Sequence, residues 1–284
     1  MTRREVLVMM AAAAHGARAS ASPRGVKAAP HPIGLGTWQT FDVARPTAAL
    51  EQVLQLFVQL GGTVVDSSPM YGHSEAVLGD LAVKLGVRDK LYVATKVWTS
   101  GRAAGIAQME ESERKLRGRV NLMQVHNLLD AETHLETLRR WKAEGRIQHI
   151  GVTHYHAGAH DAVAESVRRG GIDFIQINYS LAEREAERRL LPLAKEHGVQ
   201  VLINRPFGAG SLFRETRHKP LPSFAKELGA ASWAELFLKF VISHPAVTCA
   251  IPATSNPEHL RQNMNAGRGP MPNAAMRKRI ADAV

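Results

Sequence analysis

Short apolar runs of strand character recur eight times along this chain, and a stretch of helical periodicity separates each from the next. No other feature narrows the fold as much. The runs are Ile33–Trp38, Thr63–Ser67, Leu91–Val97, Leu122–His126, Ile150–His154, Phe174–Asn178, Val201–Asn204 and Cys249–Pro252. Between them, Leu50, Val53, Leu54, Phe57 and Val58 fall on one helix face, and Leu135, Leu138 and Trp141 on another. Gly61-Gly62, Gly86, Gly145, Gly170-Gly171 and Gly198 stand where a helix must stop and turn into the next strand. This alternation predicts a single-domain α/β protein, a (β/α)8 TIM barrel. A doubly wound open sheet is the competing arrangement. It would carry a G-x-G-x-x-G turn after its first strand, and Gly34-Leu35-Gly36-Thr37-Trp38 lacks the third glycine. In a barrel the chemistry belongs at the C-terminal strand ends.

The formal charge of +10 could suggest a nucleic-acid partner. Aromatic residues make up only 6% of the chain and are not interleaved with the Lys/Arg groups, so no nucleic-acid partner is expected. The cations read as solvated helix faces, as at Arg184–Arg189 and Arg277–Arg279. A single cysteine, Cys249, excludes an internal disulfide and a multi-cysteine metal site, and no metal is expected. Its apolar neighbours make it a small buried hydrophobe.

Residues 1–21 read as a twin-arginine-type signal peptide, leaving 22–284 as the barrel. Arg3-Arg4 precede a short apolar run, Val6 to Ala14, and Ala19-Ser20-Ala21 offers an A-x-A cleavage site. The run is too short to span a bilayer core of about 30 Å, so no stable membrane anchor is expected. The twin-arginine export machinery would then deliver a folded monomer to the periplasm or beyond; a cytoplasmic protein with an untidy start is the alternative.

Polar residues gather at the predicted strand ends. Singly, Asp66 could cap a loop, Lys96 could be a surface charge, and His126 a satisfied core histidine. Together, a carboxylate, a lysine and a histidine at consecutive strand ends face one bowl, where unpaired burial would be costly. A hydrolytic carboxylate pair is disfavoured because these strand ends offer no second carboxylate.

Seven collinear motifs resemble the aldo-keto reductases. They are Gly34-Leu35-Gly36-Thr37-Trp38, Val65-Asp66-Ser67-Ser68-Pro69-Met70-Tyr71-Gly72, Ala94-Thr95-Lys96, Leu122-Met123-Gln124-Val125-His126-Asn127, Ile150-Gly151-Val152-Thr153-His154, Gln176-Ile177-Asn178-Tyr179, and Ile251-Pro252 with Asn263. The resemblance implies an NAD(P)H-dependent reductase of small-molecule aldehydes or ketones, with Asp66, Tyr71, Lys96 and His126 as its catalytic tetrad. Tyr71 would donate the proton, its pKa lowered by Lys96, which Asp66 holds charged. His126 would orient the carbonyl; family members specialised for carbon–carbon double bonds carry glutamate there. A cofactor-binding regulatory subunit without turnover is the alternative within the same fold.

The resemblance also implies that Thr37 and Trp38 flank the cofactor and substrate mouth, and that Thr153, His154 and Gln176 hold the nicotinamide carboxamide. The chain departs from the family at three places. Thr153-His154 replaces Ser-Asn. Asn204-Arg205 stands where a stacking tyrosine and a serine are usual, with Phe207 a possible substitute ring; Arg205 would reach a cofactor phosphate or be tied to a rim carboxylate. Ala253-Thr254 and His259 occupy positions where a Lys-Ser pair and an Arg clamp the 2′-phosphate, Asn263 being retained as the adenine contact. NADP(H) is still expected ahead of NAD(H). Only Ala266–Asn273 could cover the site from the C-terminal side, and Trp98 would form a wall, so a shallow, open pocket is expected.

Overall fold

Eight parallel strands form one sheet in sequence order. The strands are β1 (Leu35–Gly36), β2 (Val64–Asp66), β3 (Tyr92–Val97), β4 (Leu122–His126), β5 (His149–Thr153), β6 (Phe174–Asn178), β7 (Gln200–Asn204) and β8 (Cys249–Ala250). The structure, a computed structural model, describes residues 31–284; the segment read as an export signal lies outside the described residues. The helices are α1 (Ala48–Gln59), α2 (Ser74–Lys84), α3 (Arg102–Lys115), α4 (Ala131–Ala143), α5 (His160–Arg169), α6 (Leu190–Glu196), α7 (Ser211–Thr216), α8 (Trp233–Ile242), α9 (Pro257–Asn265) and α10 (Ala274–Asp282). No helix of the described residues is long and apolar enough to cross a membrane.

The sheet closes on itself. Ile33 bridges Ala250 and Gly36 bridges Ala253, and Gly34 N–H donates to Ala250 O at 2.8 Å. Glycine is required on this seam: a Cβ at Gly36 would lie 2.6 Å from the Ile251 carbonyl oxygen, and one at Gly34 3.0 Å from Ile251 Cγ2 and 3.2 Å from Cys249 Sγ. The two glycines that failed as a dinucleotide fingerprint therefore let β1 meet β8.

Alternation along each strand divides the side chains between two cores. Val64, Ala94, Leu122, Phe174, Leu202, Cys249 and Ile251 pack together in one cluster, plugging the barrel. Their neighbours in sequence, among them Val65, Val93, Met123, Ile175, Val201 and Ile203, join the larger core with Leu54, Phe57, Leu78, Leu138, Leu191 and Leu236 of the helices. The expected apolar faces are buried, except that Val58 is half-exposed. The glycines at the helix ends take positive φ, +91° at Gly61 and +72° at Gly145. After α1, Gly62 N–H reaches back to Phe57 O at 2.8 Å.

Two expectations fail. Arg184–Arg189 is no helix face but a loop with a single 3₁₀ turn, Glu185–Arg188. Glu187 is drawn to Tyr179 Oη and to Arg277 (2.6 Å), which ties the segment down irregularly. Residues 266–273 do not approach the mouth. Lys239 Nζ, fully buried on α8, donates to Arg268 O and to Pro270 O (3.1 Å), and Arg268 reaches Leu60 O at the end of α1 (3.5 Å). That is the end where strands begin, opposite the rim formed by their C-terminal ends.

Candidate active site

Asp66, the last residue of β2, is almost fully buried and gathers donors from three strands. Its Oδ2 accepts from Lys96 Nζ at 2.7 Å, and its Oδ1 from Gln176 Nε2 at 2.7 Å and Gln124 Nε2 at 3.3 Å. Lys96, wholly buried on β3, also donates to Ser67 O at 2.7 Å. Burial works against the ammonium, but the Asp66 carboxylate and then Tyr71 outweigh it, so the Lys96 pKa stands above its ordinary value. The ion pair is dry and braced by hydrogen bonds to Ser67 O and from Gln124 and Gln176, the condition under which a buried pair holds its charge.

Tyr71 stands on the loop after β2, with Lys96 Nζ 4.9 Å from its ring centroid. Burial raises the Tyr71 pKa; Lys96 pulls it down and Asp66 pushes it up. The net direction is upward, which corrects the expectation that Lys96 makes Tyr71 a stronger acid than a free tyrosine. The phenolate loses more by leaving water than it gains from an ammonium already paired with Asp66. Tyr71 is thus protonated at neutral pH. His126 faces it edge-on, ring centroids 6.0 Å apart at 83°. Burial, followed by Lys96 and His154, pushes the His126 pKa down to about 3, so the imidazole is neutral. Its Nδ1 meets Ser68 Oγ at 3.1 Å.

Thr37 is buried and donates to Asp66 O at 3.0 Å, locking β1 to the site, while Trp38 is exposed. Trp98 lies beside His126, ring centroids 6.2 Å apart, and with Met70 and Tyr155 adds exposed apolar surface on the loops after β3, β2 and β5. Thr153 Oγ1 donates to Gln176 Oε1 at 3.2 Å, so Gln176 is engaged by both Thr153 and Asp66. His154 stacks on Tyr155 (5.4 Å) and meets His156 edge-on (4.4 Å).

At the end of β7, Asn204 Nδ2 donates to His154 O at 3.1 Å, and Asn204 Oδ1 is buried without a partner among the described residues. Arg205, at φ +50°, donates to Tyr155 O at 3.1 Å and pairs with Glu183 at 3.3 Å, its Nε buried without a partner among the described residues. The rim-carboxylate reading of Arg205 is therefore the one observed. Phe207, the candidate substitute ring, packs on Phe213 at 4.9 Å.

Thr254 is buried in a turn ahead of α9, accepting from Asn256 N–H at 3.1 Å. His259 is exposed in the first turn of α9 and Asn263 is buried one turn further on. Arg261 pairs with Glu258 at 3.8 Å.

Sequence reasoning gave no role to Gln124, Ser68, Asn127 or Glu183. Strand alternation could have found Gln124, which lies between inward-facing Leu122 and His126. Ser68 gives no such signal, because its contact with His126 spans 58 residues. Most of the non-glycine residues held at positive φ, namely Gln39, Asn127, Leu128, Asp130, Arg205 and Ala209, follow the C-terminal ends of strands, where functional loops store strain.

A closed parallel barrel with a buried Asp–Lys pair, a protonated tyrosine and a neutral histidine at its rim has the form of a carbonyl-reducing oxidoreductase. Comparison places it: residues 32–279 match the model of the aldo/keto reductase family. The chain belongs to that family. It is 27% identical to methylglyoxal reductase YeaE of Escherichia coli over 81% of this chain and 83% of that one. It is 30% identical to aldo-keto reductase YhdN of Bacillus subtilis over 60% and 56% respectively. An aldo/keto reductase from Klebsiella pneumoniae, crystallised with NADP and acetate, superposes with a TM-score of 0.75 at 27% identity, covering 88% of this chain and 90% of that one.

Proposed function

We propose that this enzyme reduces an aldehyde or ketone to the alcohol with NADPH, Tyr71 giving its proton to the carbonyl oxygen. The single observation that carries the reading is the dry Lys96–Asp66 pair set against the Tyr71 ring, with neutral His126 facing it. Charge developing on a carbonyl oxygen between Tyr71 and His126 would meet two donors fixed before the reaction starts. Lys96 stabilises the phenolate left when Tyr71 loses its proton, and Asp66, held by two glutamines, keeps Lys96 in place. Neutral His126 orients the oxygen without competing as an acid.

The reduced nicotinamide, when bound, supplies the hydride. The rim suits such a polar ligand: among the described residues Asn204 Oδ1 and Arg205 Nε are buried there without partners, and buried polar atoms call for them. Thr153, His154, Gln176 and Asn204 would hold the nicotinamide, and Thr254, His259 and Asn263 the adenosine end. NADP in the Klebsiella pneumoniae relative supports NADPH here. The first turn of α9 nonetheless presents His259 and no lysine or arginine, so discrimination for the 2′-phosphate is modest. With residues 266–273 pinned at the far end and Trp38, Met70 and Trp98 exposed, the mouth accepts carbonyls with apolar substituents of varied size.

The test is to mix purified protein with NADPH or NADH and a panel of aldehydes that includes methylglyoxal, following nicotinamide absorbance. Consumption of NADPH is expected. Tight binding of the nucleotide with no carbonyl reduced would sink the reading.

Residues 1–21 support export by the twin-arginine route to the periplasm. Replacing Arg3-Arg4 with Lys-Lys should then hold the precursor in the cytoplasm; unchanged secretion would refute it.

A further inference from the structure

We infer that Ser68 is a positioning residue for the reduction: its hydroxyl fixes the tautomer of His126 so that Nε2–H faces the carbonyl oxygen. The inference rests on the proposed role of His126 above. Ser68 is fully buried, with Oγ 3.1 Å from His126 Nδ1 and 3.4 Å from Met70 N. Among the described residues, Oγ has no other hydrogen-bond partner, and no hydrogen bond reaches His126 Nε2.

A serine hydroxyl offers one donor and two acceptor positions. The Met70 N–H occupies an acceptor position. If Nδ1 also carried a proton, Ser68 would face two donors and its own proton would have no acceptor, a costly arrangement in a buried site. With Oγ–H donating to Nδ1, the Ser68 hydroxyl, the Met70 N–H and His126 Nδ1 are all satisfied. Burial, Lys96 and His154 keep the ring from taking a second proton. The one ring proton then sits on Nε2, the free edge.

The consequence is catalytic. The opposite tautomer would turn a lone pair toward the oxygen that is gaining negative charge, replacing an attraction with a repulsion. Tyr71 and Trp98, 6.0 and 6.2 Å from the His126 ring centre, limit how far the imidazole can swing to escape that choice. Sequence alone does not suggest this, since Ser68 precedes Pro69 in a turn and reads as ordinary turn chemistry.

The experiment uses the full chain labelled with 15N-histidine, His126 being assigned by its absence in His126→Gln. Long-range 1H–15N spectra at neutral pH read the tautomer directly, and kcat/KM and NADPH affinity are measured in parallel. Wild type should show the Nε2–H form. Ser68→Ala should populate the Nδ1–H form and lose roughly tenfold in kcat/KM, mostly in kcat, with NADPH affinity unchanged. Ser68→Thr, which keeps the hydroxyl, should recover most of both signals. An Nδ1–H or doubly protonated ring in the wild type overturns the inference, as does a Ser68→Ala variant with wild-type tautomer and turnover. The tautomer is readable even if no carbonyl is reduced, so failure of the proposed function and failure of this inference give different results.

Discussion

In the proposed reduction Tyr71, Lys96, Asp66 and His126 each do something the others cannot, and their substitutions should separate accordingly. Tyr71→Phe removes only the proton donor, so kcat/KM should fall by about 10²–10⁴-fold while NADPH affinity, measured by fluorescence titration, stays near wild type. Asp66→Asn leaves Lys96 buried without a counter-charge. That variant should lose about 3–5 kcal/mol of stability in a denaturant titration, with a melt superposable on wild type counting against the dry ion pair. His126 yields a pH prediction. Its folded pKa of about 3 lies below the ordinary 6.5, so between those values the unfolded chain holds a proton that the folded chain does not. Stability therefore falls as pH drops through that window. His126→Gln should flatten the dependence by about 1.36 kcal/mol per pH unit near pH 5, as read from unfolding free energies of both proteins. The charged members of this group were legible in the sequence because each ends an apolar run. Their net electrostatics were not: the upward shift of Tyr71 arises from burial, which depends on chain packed from all sides. The glutamines that donate to Asp66 beside Lys96 were equally hidden as partners, Gln176 lying 110 residues away.

At the scale of elements, most strands and helix ends follow from local pattern. β4 and β6 have the bounds their apolar runs predict, and glycine terminates the helices where expected. The outer strands are the exception. β1 keeps two residues of a six-residue run, because pairing with β8 is confined to the glycine-lined seam. Nothing local marked residues 266–273 as fastened by Lys239, a lysine that an amphipathic reading of α8 would leave in solvent. The departure at α9 was legible and leads to a prediction that belongs to that helix. Asn256 caps its first turn, accepting from Glu258 N–H at 2.8 Å, and His259 stands exposed there. His259→Arg adds a cation at the positive end of a helix, where an anion is already favoured. NADPH should bind roughly tenfold tighter and NADH no differently, a discount on the full charge-assisted value because the site is wet. Equal tightening for both cofactors in calorimetric titration would place the arginine on the shared part of the nucleotide instead.

For the molecule as a whole, what matters is that the barrel is closed, because the groups of the proposed site come from β2, β3, β4 and β6 and keep their spacing only while the ring of strands holds. The seam is its thinnest part: β8 contributes two residues, and it meets β1 through bridges and not through a full ladder. Cys249 sits on that strand, fully buried among Val64, Leu122, Phe174 and Leu202, and burial pushes its thiol up to about 12. It is the only cysteine in the chain, so it reports on the seam without any engineering. If the barrel opens only by unfolding completely, a thiol reagent should react with native protein at least about 10³-fold more slowly than with denatured protein, tracking the global unfolding constant. Rapid labelling with activity retained would mean instead that the seam opens on its own as a local unit. Gly36→Ala distinguishes the two further. The added Cβ would stand 2.6 Å from the Ile251 carbonyl oxygen, a backbone atom that cannot swing aside. In that variant labelling of Cys249 should accelerate in step with loss of carbonyl reduction, because the strand that carries Thr37 to Asp66 is the one being forced away.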